Sequence, residues 1–255
     1  MKNPFLDYQS VPFKKKEIPL GRIVQGREKI MDRILHGYIS LAEKEIKDLV
    51  WLAERSRVVK VYSAAVKSIS ELEYNLEDVE ELCAALDSSN EIPYVISGPA
   101  GIYISALVNH SQEDRIVLRL KDYQRTFHFL GYRLPEGKTL VLQGTVGEFV
   151  GANLAGGRLV VEGPTGSWCG AGMMKGEILV TENAGQNTGD WMRGGEIRVE
   201  GEIGSVGKTR FGGRIHQQGK LIVPEEHQKG RAVEGEIASV PKPRFGGRIH
   251  QLGKR

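Results

Sequence analysis

The chain is poor in cysteine. Two cysteines, Cys83 and Cys169, in 255 residues cannot build a disulfide framework, so a packed core must hold the fold, and a reducing cytoplasm is the expected location. No apolar run approaches the roughly 18 residues of a membrane span, and the N-terminus lacks a signal-peptide pattern. No membrane partner is expected. Glycine is scarce at first and then abundant: four of 32 lie in residues 1–100 and 20 lie in 144–219. That shift argues for two parts. Charge of either sign is nearly balanced, at +3 overall, but residues 208–255 carry 11 Lys/Arg against 4 Asp/Glu. A solvated basic tail is the favoured reading over a nucleic-acid surface.

What is abundant is also periodic. Written in rows of 19, the glycines fall into columns. Gly147, Gly166, Gly185 and Gly204 form one column, Gly151, Gly170 and Gly189 a second, and Gly157, Gly176 and Gly195 a third. The apolar columns repeat with them: Leu140, Leu159, Ile178 and Ile197; Leu142, Val161, Val180 and Val199; Val146, Thr165, Ala184 and Ile203; Leu154, Met173 and Met192. Phe149 sits above Trp168. A row of 19 is too short for a helix–strand–helix unit. It fits one coil of a parallel β-helix, with strands near 158–162, 177–181 and 196–200 and glycine at the corners. Stacked coils repeat at about 4.8 Å, so like residues lie on like. After Gly204 the period breaks. Leu221 and Val223 read as the next strand, five residues late, with a corner loop around Arg210–Arg214.

The earlier chain reads as a small α/β region. Residues 1–27, with Lys14 to Lys16, read as a solvated arm. Ser40 with Glu43 reads as a capping box opening a helix to about Ser56. Val58–Val66 is a β-branched strand candidate. Asn75 with Asp78 caps a helix to about Asp87 that turns Leu76, Val79, Leu82, Cys83 and Leu86 inward. Ile92–Ile96 reads as a strand, followed by a turn at Ser97–Gly101 that could approach a ligand, although simple connection is favoured. Ile116–Leu120 and Phe127–Leu130 read as further strands, where the solenoid begins. The expected architecture is mainly β: a right-handed parallel β-helix of 19-residue coils over 111–223, capped by an α/β region over 1–110, with a tail over 224–255.

That tail repeats the chain's own sequence. Val199–Lys220 recurs as Val233–Lys254 with 18 of 22 positions identical; the departures are Gly204 to Ala238, Gly207 to Pro241, Thr209 to Pro243 and Gln218 to Leu252. The second copy is not expected to complete a normal coil.

Few residues invite chemistry. Gly201–Thr209 resembles a phosphate-binding loop but spaces its glycines wrongly and leads into no helix. Cys169 has Val150 and Thr188 above and below it, not a base, and reads as a small corner residue. His216 and His250 lack the neighbouring ligands a metal site needs. The polar corner at Gly185–Gly189, with Asn187 and Trp191, interrupts the aromatic column of Phe149 and Trp168. Trp168, Asn187, Trp191, Arg210 and His216 are therefore interaction candidates, not catalytic ones.

Gly147-Glu-Phe-Val-Gly151, Gly157-Arg-Leu-Val-Val-Glu-Gly163, Gly166-Ser-Trp-Cys-Gly170 through Gly176, and Trp191-Met-Arg-Gly-Gly195 together resemble the GXGXG β-helix domain. That domain forms the β-helix subunit of formylmethanofuran dehydrogenase and of a related formyltransferase/hydrolase complex, and the C-terminal domain of the glutamate synthase large subunit. The Gly-Ser-Trp corner leans toward the formylmethanofuran dehydrogenase type. The resemblance covers about 90 residues. It implies a scaffold that braces catalytic parts carried elsewhere, with no cofactor in this chain and protein partners or a homo-oligomer around it. Only the structural glycines carry over. The alternatives are a stand-alone glutamate synthase-related protein, a ligand-binding module or enzyme using the N-terminal region, and a self-assembling structural protein. Limited proteolysis of the full chain is expected to cut between Pro224 and Ala232 before it cuts within 144–207.

Overall fold

Like residues meet like along one sheet. The computed structural model describes residues 20–45, 55–88 and 97–223. Its sheet has seven strands in chain order: β1 (Arg115–Arg119), β2 (Thr139–Gln143), β3 (Ala155–Glu162), β4 (Lys175–Val180), β5 (Glu196–Val199), β6 (Arg214–Gln217) and β7 (Lys220–Val223). The first six are parallel, one per coil. Ile116, Leu140, Leu159, Ile178, Ile197 and Ile215 pair in register, and none of them has exposed surface. The second face of the coil repeats the rule through bridges from Val146 to Thr165, Ala184 and Ile203. This is the β-helix that the columns predict.

The three glycine columns have different physical causes. In the first, backbone lies on backbone: a Cβ on Gly185 would sit 2.6 Å from the carbonyl carbon of Gly166. In the second, Gly151, Gly170 and Gly189 have φ of 68, 67 and 70°, a conformation other residues reach at a cost of about 1–2 kcal/mol. In the third, carbonyls crowd in: a Cβ on Gly157 or Gly195 would lie 2.6 Å from the Pro135 oxygen or 2.8 Å from that of Gly176.

Two expectations at the solenoid's ends need correction. The coil after β5 is closed by β6, with Ile215 opposite Ile197, so it is one residue shorter than its predecessors rather than five longer. Leu221 and Val223 belong instead to β7, which returns antiparallel against β6. Gln218 and Gly219, at φ 49 and 75°, form the two-residue hairpin turn that such a return requires. The long spacing is at the other end, where Ile116 pairs with Leu140. Within that first coil, Phe127–Leu130 is a corner rather than a strand. It still stacks on the next coil: the Phe129 N–H donates to the Glu148 carbonyl at 2.9 Å.

The described elements before the sheet are all helices: α1 (Leu20–Glu45), α2 (Arg55–Ile69), α3 (Leu76–Ser88) and α4 (Ser97–His110). Three expectations change here. Helix α1 begins at Leu20, so Ser40 is interior to it, and Ile34, Tyr38, Leu41 and Ala42 form one buried stripe across that point. Lys14 to Lys16 lie outside the described residues. The β-branched run Val58–Val66 is α2, because Val58, Val61, Ala65 and Ile69 bury at helical spacing, and packing overrides β propensity. Ile92–Ile96 lies outside the described residues. Ser97–Gly101 is not a ligand turn but the first turn of α4, where Pro99 needs no N–H partner. Helix α3 matches its reading: the Asn75 N–H donates to Asp78 Oδ2 at 2.8 Å and the Asp78 N–H to Asn75 Oδ1 at 3.2 Å, a reciprocal cap.

Helix α4 docks the helices on the first coil. Residues Ala100 to Val108 are buried all round, as a helix enclosed by other elements must be. Ser105 Oγ donates to the Phe129 carbonyl at 2.9 Å, and Asn109 Nδ2 to that of Tyr132 at 2.9 Å. A Cβ on Gly101 would collide with the His128 carbonyl oxygen. The helix can approach this closely only because the residue is glycine.

Position in the stack therefore sets the cost of adding a methyl group. Gly185→Ala, between two coils, is expected to destabilise by about 1–3 kcal/mol. Gly204→Ala, where the nearest contact is a milder 3.3 Å, should cost clearly less. Chemical denaturation of both variants checks the order.

Candidate functional site

Two features of the coils bear on partner binding. The first is a corner ridge that reaches the surface only at its later coils, because Phe129 and Phe149 are buried while Trp168 and Asn187 are half-buried. Phe129, Phe149 and Trp168 stack with parallel rings, 4.7 and 5.0 Å between centroids. Asn187 takes the next place, one coil on, and all four have φ between 58 and 62°. Bulky residues rarely hold this conformation. Here the ring stack, at about 0.5–1.5 kcal/mol per pair, and inter-coil bonds such as Trp168 N–H to the Gln186 carbonyl at 2.7 Å offset the strain. Trp168 and Asn187 are thus neighbours on one ridge, each half-buried. Trp191 lies on a parallel ridge with Arg133, Asn153 and Gly172, again at positive φ. Arg210 closes the last corner, donating to the Gly207 carbonyl at 3.0 Å. The five candidates therefore do not converge on one point.

The second feature was not singled out from the sequence. On the outer face of β3 to β6 an open groove of about 370 Å³ has a floor of Gly176 and Gly195 and walls of Arg158, Glu177, Glu196, Arg198 and Arg214. Down the stack the facing column reads Arg158, Glu177, Glu196 and Arg214, with Arg198 bridging the two glutamates. Arg158 lies 3.5 Å from Glu177, Arg198 lies 2.9 Å from Glu177 and 2.8 Å from Glu196, and Arg214 lies 3.2 Å from Glu196. His216 Nε2 is 2.9 Å from Glu196, off the line a hydrogen bond needs. Partial burial opposes ionisation of Glu196, but bonds and charge from Arg198 and Arg214 outweigh it and hold its carboxyl below the ordinary 4.5. The face is charged and already internally paired, which suits docking better than chemistry. Charged residues at the outward strand positions were the available signal, but apart from Arg198 with Glu196 the pairs lie 18 to 21 residues apart and need the register to be seen.

No family model, curated protein or solved structure matches the chain.

The remaining reactive groups are structural. Cys169 has no exposed surface, and burial pushes its thiol up to about 12, with the neighbouring Thr165 hydroxyl acting in the opposite direction. It is a buried thiol, not a nucleophile. His128, also not singled out, accepts the Glu148 N–H at Nδ1, 2.7 Å away. Burial lowers its pKa, so the ring stays a neutral acceptor. Gly201–Thr209 is a corner of the last coil, with Ile203 and Val206 bridged to Ala184 and Thr188. Among the described residues no three His, Cys, Asp or Glu side chains group as metal ligands, and no helix is long and apolar enough to cross a membrane. A cleft of about 360 Å³ lies among the helices, walled by Ile30, Leu72, Tyr74, Asp78 and His110.

The sign of the pH dependence follows from Glu196. A depressed carboxylate contributes stability above its unfolded pKa, and that contribution is lost as pH falls through the folded value. Glu196→Gln is expected to cost up to about 1 kcal/mol at pH 7. The difference from the parent should shrink as pH falls below about 4.3 and vanish once Glu196 is protonated in the folded chain as well, as read by denaturation across that range.

Proposed function

We propose that this chain is a non-catalytic scaffold subunit of a multi-subunit oxidoreductase or acyl-transfer complex, related to the β-helix subunit of formylmethanofuran dehydrogenase-type assemblies. The observation that carries the reading is the glycine ladder itself. Its three columns are accounted for by backbone contact and corner conformation, which leaves no glycine over to cradle a ligand. The motif resemblance adds a direction: proteins with this ladder brace catalytic parts carried on other subunits or other domains. The buried, unreactive Cys169 and the internally paired outer face support the same role. Cofactors of the proposed complex sit on partner subunits, and the proposed location is the cytoplasm.

A face made of cross-coil ion pairs suits a protein partner whose own charges can interleave with them. Affinity purification of the tagged full chain from its source is expected to bring down enzyme subunits in fixed ratio. Charge reversal of Arg158 and Arg214 together should weaken their recovery several-fold. Recovery of the chain alone, from native extract and at low salt, would overturn the proposal.

A further inference from the structure

The cleft among the helices has an unusual donor–acceptor balance. It lies where α3 begins and α4 ends, with a volume of about 360 Å³. Asp78 is in its wall and is only 2 % exposed. One carboxylate oxygen, Oδ2, accepts the Asn75 N–H at 2.8 Å. The other, Oδ1, is buried without a hydrogen-bond partner. A buried oxygen left so is costly unless something donates to it. The cationic residue in the same wall, Arg27, is turned to Glu77 across α1 and α3 instead.

Of the other polar groups that line the cleft with Asn75, Ser111 and Gln112, two have the same sense. His110 Nδ1 lies 2.9 Å from the Ala106 carbonyl, which accepts, so Nδ1 carries the proton and Nε2 of the neutral ring is an acceptor. Glu73 adds a carboxylate. The C-terminal end of α4 adds the partial negative charge of a helix terminus. Burial raises the Tyr74 pKa, and the nearby Glu113 carboxylate raises it further, which reports the same negative surroundings. Ile30, Leu72 and the Tyr74 ring supply apolar wall.

We infer that this cleft binds a small organic cation, a protonated amine with a short apolar body, with Asp78 as its counter-ion. A metal ion is the poorer match, because the described residues bring no three metal-type ligands together. An anion would face the Asp78 and Glu73 carboxylates, with Arg27 already held on Glu77. The ammonium meets Asp78 Oδ1 and His110 Nε2, and the apolar body lies on Ile30, Leu72 and Tyr74. This inference does not depend on the scaffold role and survives its failure.

The test uses the full chain with n-butylammonium as probe, and with 1-butanol, sodium butyrate and sodium chloride as matched controls. Calorimetric titration and the shift in Tm are both read. Saturable binding near about 1 mM is expected for the amine alone, within the range open to a ligand of five heavy atoms. Asp78→Asn keeps an oxygen to accept the Asn75 N–H and removes the charge; it should weaken binding at least tenfold. Ile30→Phe, which fills the cleft without touching its charge, should also weaken it, and covers the case in which Asp78→Asn does not fold. An equal response to butanol, a response reproduced by sodium chloride, or amine binding that both variants retain would overturn the inference.

Discussion

Every coil lies about 4.8 Å from the next, and the backbones bond across that gap. Most other features of the solenoid follow from this spacing. An apolar column stays dry only if each coil offers a similar side chain at the same place, as Ile116, Leu140, Leu159, Ile178, Ile197 and Ile215 do. Where the chain turns, backbone approaches backbone with no room for a Cβ, so the Gly147–Gly166–Gly185 stack needs glycine even at ordinary φ. The same limit applies where α4 meets the first coil, at Gly101 against the His128 carbonyl. One short-range rule thus governs both the stack and its attachment to the helices.

The corner ridges show what the stack can impose on residues that would not choose it. Phe149 and Trp168 at φ 59° give up about 1–2 kcal/mol each in backbone preference. They recover it through ring stacking and through N–H groups that reach the next coil at 2.9 and 2.7 Å. No single coil could sustain this exchange, because the compensating contacts all lie in its neighbours. Strain of this kind is stable only in a stack, which couples the corners cooperatively to the number of coils.

What could be read from the chain alone divides along the same line. The columns were legible because a fixed period writes tertiary neighbours directly into the sequence. The helices were less so. Helix α4 is buried on all sides and shows no amphipathic period, and its Gly98-Pro99 start imitates a turn. Helix α2 hides helical spacing behind β-branched residues. The solenoid's end was misplaced because Leu221 and Val223 imitate the apolar columns, while the deciding detail was the two-residue turn at Gln218-Gly219. Of the candidate surface, Trp168 and Asn187 were found by period. The positive φ of their column was also signalled, by an Asn and, one ridge over, by Asn153 and Gly172. The groove and the cleft were not legible, because register brings Glu196 to Arg214 and tertiary packing brings Asp78 to His110.

The near-duplicate of the last coil sharpens how narrow the stacking rule is. Residues 199–220 and 233–254 share 18 of 22 positions, including Ile203, Val206 and Ile215, which meet the preceding coil. Composition therefore hardly separates them. Two backbone donors do. The Gly207 N–H donates to the Thr188 carbonyl at 2.8 Å, and the Thr209 N–H to Asp190 Oδ1 at 3.0 Å. The equivalents, Pro241 and Pro243, have no N–H to give. A Cβ at Gly207 would also press on Asp190, with its Cβ 2.5 Å away. A coil built from the second copy in this place would forgo both bonds and force the backbone apart. Apolar pattern makes a segment a possible coil, but free N–H groups and missing Cβ atoms at two or three positions decide which segment is one.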